Sequence, residues 1–578
     1  MSEAFKTDAP ASGNTSVNPS EKGHSIVNHT VTEEEFERVH TPHLHAKTFL
    51  AVFAVCLIYI AQTFTLVGAG AQGQIIAGHF HKPQDVTWIA TPITIMTVVL
   101  CPIFAQASDY WGRKWFLVIP SLFGSVGAVV VSRASSMSMI IAGFTLIGVS
   151  FGAQSLLHTV ASEVLPRRWR SWGQAAVMIS NGVGLISGLL VGGQLNRHGE
   201  PNGFRNHFYI AMALYFVSAV ITTFTYKPIP SKLQLEYTFG QKMARLDWIG
   251  YGLMASSLVL FCLGLSWSQN PFSWSNAHVS APFAIGLALA LVLVAYETKF
   301  KKDGMFHHSL FSGNRNFTIA LICVFCEGIA FFAANIYFAF QISVLYEKDF
   351  LIVGLRFAIA FMSTMVTSVF IGLYCAITKK VRWATVFAFL IFAVFFSCMA
   401  TTNKDTSKAA WGYPVLMGAG LGMTLITLVT VAQLSTPPEQ ISIASGLLIS
   451  IRSLGGTIGI AIYNAVFIAG TRNMGMNVGN AAAKAGLPPT SIPAFVTNLL
   501  GQNTTGLGAV PGVSPTIIGA GAGALLDTYT TGFRNVWVSA IGFIVLAAIA
   551  ACFLFDPSEE FNNLIDAPVE KKEEIYSD

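Results

Sequence analysis

Fourteen stretches of this chain are each apolar over about the 20 residues that a helix needs to cross a bilayer. Within hydrocarbon, backbone polar groups must be satisfied inside the spanning segment, which favours helices. The composition agrees, because 53% hydrophobic and only 11% charged residues exclude a soluble globular domain of this length. We therefore predict an all-α membrane protein with about fourteen transmembrane helices. The apolar runs lie near residues 48–69, 86–107, 115–132, 137–159, 173–195, 206–226, 247–267, 278–297, 318–341, 354–378, 381–401, 411–434, 443–469 and 534–555.

An even number of crossings places both tails on the same side of the membrane. The loops on the side of the tails carry sixteen Lys and Arg residues, against ten in the opposite loops. Because basic loops stay in the cytoplasm, both termini are predicted to be cytoplasmic. Residues 1–46 are polar and are expected to form a disordered tail, and residues 556–578 form an acidic tail. We expect a plasma-membrane location, with the vacuolar or endosomal membrane as the alternative.

Several function classes find no support in the sequence. The cations are dispersed through loops, so no nucleic-acid partner is expected. All eight cysteines lie in apolar runs, including the Cys323 and Cys326 pair, which argues against a disulfide framework and favours packing over metal or redox work. A P-loop motif for nucleotide binding is absent, and no hydrolytic constellation stands out. We therefore expect no enzyme activity, no cofactor and no metal, and we expect a monomer.

The loop between the second and third runs holds an acid, a glycine and two cations, at Asp109, Gly112, Arg113 and Lys114. This pattern resembles the signature loop of the major facilitator superfamily. The resemblance implies that fold, with a six-helix bundle at 47–226 and another at 318–555. Residues 227–317 would form a linker and an inserted helix pair, and 470–533 a long external loop. Repeated halves are common among secondary carriers.

Glu163 ends the fourth run and precedes a basic loop that contains Arg167, and we predict that both residues join the signature loop as gating residues. In the family this acid lies at the inner helix end, close to the signature loop. We expect Glu163, Asp109 and Arg113 to form a cluster of opposite charges that latches the two halves together. The alternative is a solvated rim that only sets topology.

The fifth run contains glycines four residues apart, at Gly184, Gly188 and Gly192, with Gly193 beside them. Such glycines share one helix face and permit close helix packing. The segment resembles the antiporter motif of drug:proton exporters, although Leu189 replaces the proline of that motif. The alternative is ordinary packing of small residues.

Among the acids, Glu327 alone lies well inside a predicted helix. A carboxyl group in hydrocarbon is costly and usually faces a cavity or a partner. Glu327 is therefore the candidate for proton coupling or substrate binding, and Arg452 of the thirteenth run is its candidate partner. The alternatives are a neutral, hydrogen-bonded Glu327 and an Arg452 that snorkels to the membrane interface. His158 is interpreted as a packed histidine.

The layout of fourteen segments, with Asp247-Trp248-Ile249-Gly250 and Leu265-Ser266-Trp267, resembles the fungal trichothecene efflux pumps and the related fungal siderophore transporters. The resemblance implies a secondary carrier whose partners are the bilayer, protons and a small molecule. We expect proton-coupled efflux of a lipophilic toxin, metabolite or drug, with import of ferric siderophores as the alternative. A sequon at Asn503 in the external loop is a candidate glycosylation site.

Overall fold

The structure is a computed structural model that describes residues 42–570, except 83–84, 86, 198–201, 231, 269–271, 301–309, 312–314 and 502. These residues form helices and connecting segments, and the described part of the chain contains no strand. Fourteen spans are long and apolar enough to cross a membrane, which confirms the predicted number. The prediction of a disordered tail at 1–46 falls almost entirely outside the described residues.

The first half and the inserted pair contain eleven of the described helices. They are α1 Ala46–His79, α2 Thr87–Trp111, α3 Arg113–Ser132, α4 Met137–Phe151, α5 Gln154–Glu163, α6 Arg170–Asn196, α7 Gly203–Thr225, α8 Lys232–Glu236, α9 Phe239–Arg245, α10 Trp248–Trp267 and α11 Ala277–Lys299. The predicted fourth crossing is therefore two helices, α4 and α5, which are separated at Gly152 and Ala153.

The second half begins after the inserted pair. Its described helices are α12 Arg315–Leu345, α13 Phe350–Thr378, α14 Arg382–Ala400, α15 Tyr413–Leu434, α16 Ile441–Thr471, α17 Met474–Lys484, α18 Ile492–Leu500, α19 Thr504–Gly508 and α20 Pro515–Ala551. The prediction of one long loop at 470–533 is wrong for most of that stretch. Short helices α17 to α19 pack around Phe495 and Leu499, and the last spanning helix begins at Pro515 rather than near 534.

The two sets of six spans share one packing pattern. In the first, α1 packs on α6 and α7, and α3 packs on α4 and α7; in the second, α12 packs on α16 and α20, and α14 packs on α15 and α20. Each span thus has the same neighbours as its counterpart in the other set, as a repeat requires. We keep the division into bundles 47–226 and 318–555 as a proposal that this correspondence supports.

The ends of the described chain meet on one face of the bundle, where His45 Nδ1 lies 2.8 Å from Glu570 Oε2. We call this the terminal face and the opposite one the far face. Between the halves, α2 packs on α16 and α6 packs on α13. Helix α10 of the inserted pair lies beside both α2 and α16, so it borders only one of these two seams.

Candidate functional site

Glu327 and Arg452 form an ion pair between α12 and α16. Arg452 Nε donates to Glu327 Oε2 at 2.6 Å, and Arg452 Nη2 donates to Glu327 Oε1 at 3.0 Å. The guanidinium also lies 4.7 Å from the centroid of the Phe331 ring. The close approach of the helices depends on Gly328, because a Cβ there would lie 2.1 Å from the Arg452 carbonyl oxygen. The structure therefore brings the two predicted residues together, and the snorkelling interpretation of Arg452 is wrong.

The burial of the Glu327 and Arg452 ion pair makes the loss of either partner costly. The Glu327 side chain is fully buried and that of Arg452 is 13% exposed. Two buried charges are tolerated only with good geometry, and a two-point contact between guanidinium and carboxylate supplies it. Removing one partner would leave an uncompensated charge, which costs about 3–5 kcal/mol. This two-point contact gives both carboxyl oxygens of Glu327 a hydrogen-bond donor.

The first bundle contributes a cluster of polar side chains at the break between α4 and α5. Gln154, the first residue of α5, donates from Nε2 to the Tyr59 hydroxyl at 3.2 Å. The Tyr59 hydroxyl lies within electrostatic reach of both Glu327 and Arg452. Gln62 Nε2 donates to the Ser150 carbonyl at 2.7 Å beside the break. An interrupted spanning helix is tolerated where side chains satisfy its backbone.

Sequence reasoning did not identify Tyr59 or Gln154. Tyr59 lies within an ordinary apolar run, and Gln154 follows Gly152 and Ala153, which are common inside membrane helices. A run of small residues followed by glutamine was the available signal, but it does not distinguish a break from close packing. Only the hydrogen bond between α1 and α5 shows that these residues lie together.

His158 lies one turn further along α5 and joins three helices. Its Nδ1 lies 2.6 Å from Gln174 Oε1, while Gln174 Nε2 donates to the His158 carbonyl at 2.8 Å and to Ser162 Oγ at 2.6 Å. Because the amide hydrogens of Gln174 have these acceptors, its oxygen faces the ring and Nδ1 carries the hydrogen. Gln433 of α15 also donates to the His158 carbonyl, at 3.4 Å. This is the packed histidine that the sequence predicted.

The predicted charge cluster forms at the terminal face. Arg113 Nη2 donates to Asp109 Oδ1 at 3.4 Å, and Arg113 Nη1 forms an ion pair with Glu163. Gly112 has φ of 93°, a conformation that favours glycine, and this lets α3 follow α2 almost directly. Lys114 lies apart, 5.8 Å from the Trp115 ring centroid. These ion pairs stay within the first bundle, but the Asp109 carboxyl group also interacts with the Ser442 hydroxyl of α16 across the contact between the halves.

Arg167 is not in this cluster. It pairs instead with two acids of the C-terminal segment: with Asp566, through Nη2 and Oδ1 at 2.9 Å, and with Glu560. The prediction that Arg167 joins the signature loop therefore needs correction. Distant sequence segments pair here because the chain returns to the terminal face after α20.

The glycines of α6 serve two interfaces. A Cβ on Gly184 would lie 2.7 Å from the Ile60 carbonyl oxygen, and one on Gly188 would lie 2.7 Å from that of Phe64, so both permit α6 to pack on α1. Gly192 faces the Gln72 amide of the same helix α1. Gly193 faces Leu351 of α13, across the contact between the halves. With Leu189 in place of proline, α6 continues unbroken from Arg170 to Asn196.

The sequon residue Asn503 is exposed and accepts a hydrogen bond from the Gly506 amide at 2.9 Å, which caps α19. Two further sequons, at Asn14 and Asn28, lie outside the described residues, and a fourth, at Asn316, is buried at the start of α12 on the terminal face. Among the residues that the structure describes, no group of three or more His, Cys, Asp or Glu side chains could hold a metal ion.

The family model described as the fungal trichothecene efflux pump (TRI12) matches residues 34–566. This chain belongs to that family. The match covers nearly all of the chain and includes both bundles, the inserted pair and the segment after α20. The resemblance predicted from the Asp109 loop and the fourteen-segment layout is thus confirmed at the level of the family.

Curated relatives of this TRI12-family chain are named transporters and efflux pumps. The trichothecene efflux pump TRI12 of Fusarium sporotrichioides is 23% identical over 461 residues, which cover 77% of this chain and 76% of that protein. The MFS-type transporter ucsD of an Acremonium species is 24% identical over 431 residues, covering 72% of this chain and 71% of that one. None of the relatives named here is a siderophore transporter, and the importer alternative finds no support.

Solved structures agree on the fold. The proton:xylose symporter XylE of the major facilitator superfamily superposes with a TM-score of 0.54 at 12% identity, covering 87% of this chain and 95% of that chain. A bacterial homologue of the human lysosomal transporter Spinster gives 0.53 at 14% identity, covering 88% and 97%. The fold is therefore that of the major facilitator superfamily, and family and fold together make this chain a membrane transporter of the efflux class.

Proposed function

We propose that this transporter exports a lipophilic small molecule, such as a toxin, secondary metabolite or drug, in exchange for protons. The observation that carries the proton coupling is the two-point ion pair between Glu327 and Arg452 in the membrane-spanning region. Glu327 supplies a titratable group between α12 and α16 of the second bundle. The pair lies within electrostatic reach of Tyr59 in the first bundle.

The substrate class is inferred from the relatives and from the chemistry around the pair. Named relatives include a trichothecene efflux pump and an efflux pump of Gibberella fujikuroi, at 23% identity each. Around Arg452 and Tyr59, largely buried side chains combine an aromatic ring, Phe331, with hydrogen-bonding groups of Tyr59 and Gln154. Once the bundles separate, such side chains would suit a largely apolar molecule with a few polar substituents.

The proposed coupling step is a transfer of one proton to the Glu327 carboxylate from the more acidic side. The neutral acid no longer satisfies Arg452, so protonation weakens the contact between α12 and α16. Loss of that proton to the cytoplasm restores the carboxylate and re-forms the pair. The pair thus has two states that differ in charge, as proton-driven exchange requires.

The test is Glu327→Gln, which keeps the side-chain shape and removes the titration. In sealed vesicles the variant should lose pH-driven substrate accumulation but retain substrate binding and counterflow exchange. Glu297→Gln is the matched control, since Glu297 is another buried acid but lies on α11 of the inserted pair; we expect it to keep pH-driven transport. Normal pH-driven accumulation by Glu327→Gln would rule out this coupling residue.

A double variant separates coupling from folding. Glu327→Gln alone leaves Arg452 without its carboxylate, a change that costs about 3–5 kcal/mol when a buried pair is broken. Glu327→Gln combined with Arg452→Gln removes both charges, so expression should recover towards wild type while pH-driven accumulation stays lost. Recovery of pH-driven transport in the double variant would contradict the proposal.

We further propose a plasma-membrane location with the terminal face in the cytoplasm. The excess of Lys and Arg in the loops of the terminal face supports this orientation. Asn503 would then be the sequon exposed to the glycosylation machinery, and Asn503→Gln should abolish the glycan mass shift of the expressed protein. A shift that survives this change and disappears with Asn14→Gln or Asn28→Gln would reverse the orientation.

A further inference from the structure

Residues 556–570 follow the last spanning helix and cross the terminal face; we call them the C-terminal strap. The start of the strap is held by the second bundle. Asp556 Oδ1 accepts hydrogen bonds from the backbone amides of Val381 at 2.6 Å and Arg382 at 2.8 Å, at the beginning of α14. The Ser558 hydroxyl donates to the Lys379 carbonyl at 3.0 Å. This end of the strap is therefore fixed to the second bundle by hydrogen bonds as well as by the chain.

The residue before the strap is held equally firmly. The Asn316 side chain, at the start of α12, donates from Nδ2 to the Phe555 carbonyl at 3.0 Å and accepts from the Phe555 amide at 2.8 Å. The Phe555 ring lies 3.9 Å from the Arg315 guanidinium carbon. The chain thus enters the strap in one fixed direction, from the second bundle towards the first.

The other end of the strap binds the first bundle. Asp566, whose side chain is only 4% exposed, forms ion pairs with Arg167, just before α6, and with Arg170, the first residue of α6. The backbone reinforces them, since the Arg167 amide donates to the Leu564 carbonyl at 2.9 Å and the Ala567 amide donates to the Glu163 carbonyl at 3.0 Å. Buried charge-assisted contacts of this kind are stronger than exposed ion pairs.

The residues that bind the strap also take part in the contacts that close the terminal face. Arg170 Nη1 also donates to the Gln433 carbonyl of α15 at 3.2 Å, so Asp566 pairs with an arginine that already spans the two bundles. Glu163, whose carbonyl accepts from the strap, is the acid that pairs with Arg113 of the signature loop. At the end of the strap, buried Glu570 meets His45 before α1.

We propose that the C-terminal strap is a latch that holds the terminal face closed and slows its opening. The strap joins the second bundle to the first across the face where they must separate. Separation of the bundles would break the Asp566 ion pairs or pull the strap from α14. Opening of the terminal face therefore costs the free energy of these contacts. The strap adds a charged and hydrogen-bonded link between the halves to the interaction that Asp109 makes with Ser442. The latch is independent of the proposed proton coupling, because it needs no titration.

The test is the rate at which a buried cysteine at the terminal face becomes accessible. Ser442, at the start of α16, is 1% exposed and would carry the reporter as Ser442→Cys. The half-buried native thiols of Cys56, Cys398 and Cys552 are first replaced by alanine. The full-length protein is placed in lipid nanodiscs, where both faces are accessible, and labelling with a hydrophilic maleimide is followed over time. This readout does not depend on substrate, pH gradient or membrane orientation.

Asp566→Asn in this background should label several-fold faster than the parent. The matched control is Glu559→Gln, which removes the same charge from an exposed position of the strap that takes no part in the ion pairs above; it should label at the parent rate. Truncation after Pro557 should accelerate labelling at least as much as Asp566→Asn. Equal rates for Asp566→Asn and the parent, or a truncated protein that labels no faster than the parent, would overturn the latch. Vesicle transport by Glu327→Gln tests the proton coupling separately.

Discussion

The two seams between the bundles differ in how far they extend across the molecule. Helix α6 touches α13 from one face to the other. At the terminal face Ser171 Oγ donates to the Gly372 carbonyl at 2.9 Å, and at the far face Arg197 pairs with Asp349 at 3.0 Å. Between these ends, Gly182 permits close approach of the two helices. This seam is closed along its length by direct contacts.

The seam between α2 and α16 is closed differently. Ser450 Oγ donates to the Val98 carbonyl at 2.6 Å, and a Cβ on Gly446 would lie 2.7 Å from the Ala105 Cβ. These contacts lie between the middle of the helices and the terminal face. Nearer the far face, α10 fills the space beside the seam, where buried Cys262 packs with side chains of both α2 and α16.

The comparison shows that nearly repeated bundles can meet at unequal seams. The inserted pair borders only the α2 and α16 seam, so a third helix takes over contacts that α6 and α13 make directly. We therefore expect the α6 and α13 seam to act as the hinge, and the α2 and α16 seam to limit opening of the terminal face. Two pairs of substitutions and one single substitution test this difference.

The largest effect is expected from Gly446→Leu, compared with Gly182→Leu. At Gly446 the new side chain would meet the Cys101 carbonyl and Pro102 Cα at 3.1 Å, which are backbone atoms that cannot move aside. Overpacking costs roughly 1–3 kcal/mol, so export should fall about tenfold or more. At Gly182 the nearest neighbour is the flexible Met365 side chain, with one backbone atom, the Phe361 carbonyl oxygen, at 3.2 Å, and a smaller loss is expected. Initial export rates, normalised to surface expression, measure both, and equal losses would argue against unequal seams.

An intermediate effect is expected from the two serines. Ser450→Ala and Ser171→Ala each remove one hydrogen bond between the bundles, worth about 0.5–1.5 kcal/mol. Ser450→Ala should increase labelling of the Ser442→Cys reporter more than Ser171→Ala does, because Ser450 and the reporter lie on the same helix at the opening seam, whereas Ser171 lies at the hinge seam. A larger increase for Ser171→Ala would reverse the assignment of hinge and opening seam.

The smallest effect is expected from Asp349→Asn at the far face. The Arg197 and Asp349 side chains are 42% and 25% exposed, and such pairs contribute about 0–1 kcal/mol. Asparagine can still accept the hydrogen bond from the Leu351 amide that caps α13. Export should change by less than about threefold, with the difference shrinking at high salt as surface charges are screened. A tenfold loss would mean that this ion pair is itself a gate.

The sequence determined the features that depend on local composition. Apolar length predicts the number of spans, because each crossing must satisfy its own backbone and avoid charge. Asp109, Gly112 and Arg113 were identifiable because a tight charged turn between two spans needs those residue types close together in the chain. Glu327 was identifiable because one acid in an apolar helix is costly wherever that helix packs.

The tertiary structure decided what depends on contacts between distant residues. The break before Gln154 and its bond to Tyr59 follow from the packing of α1 against α5, and apolar composition does not encode that packing. Likewise, the pairing of Arg167 with Asp566, 399 positions apart, exists only because the chain after α20 returns across the terminal face. Composition can show that a charge needs a partner, but the path of the chain determines which partner comes within reach.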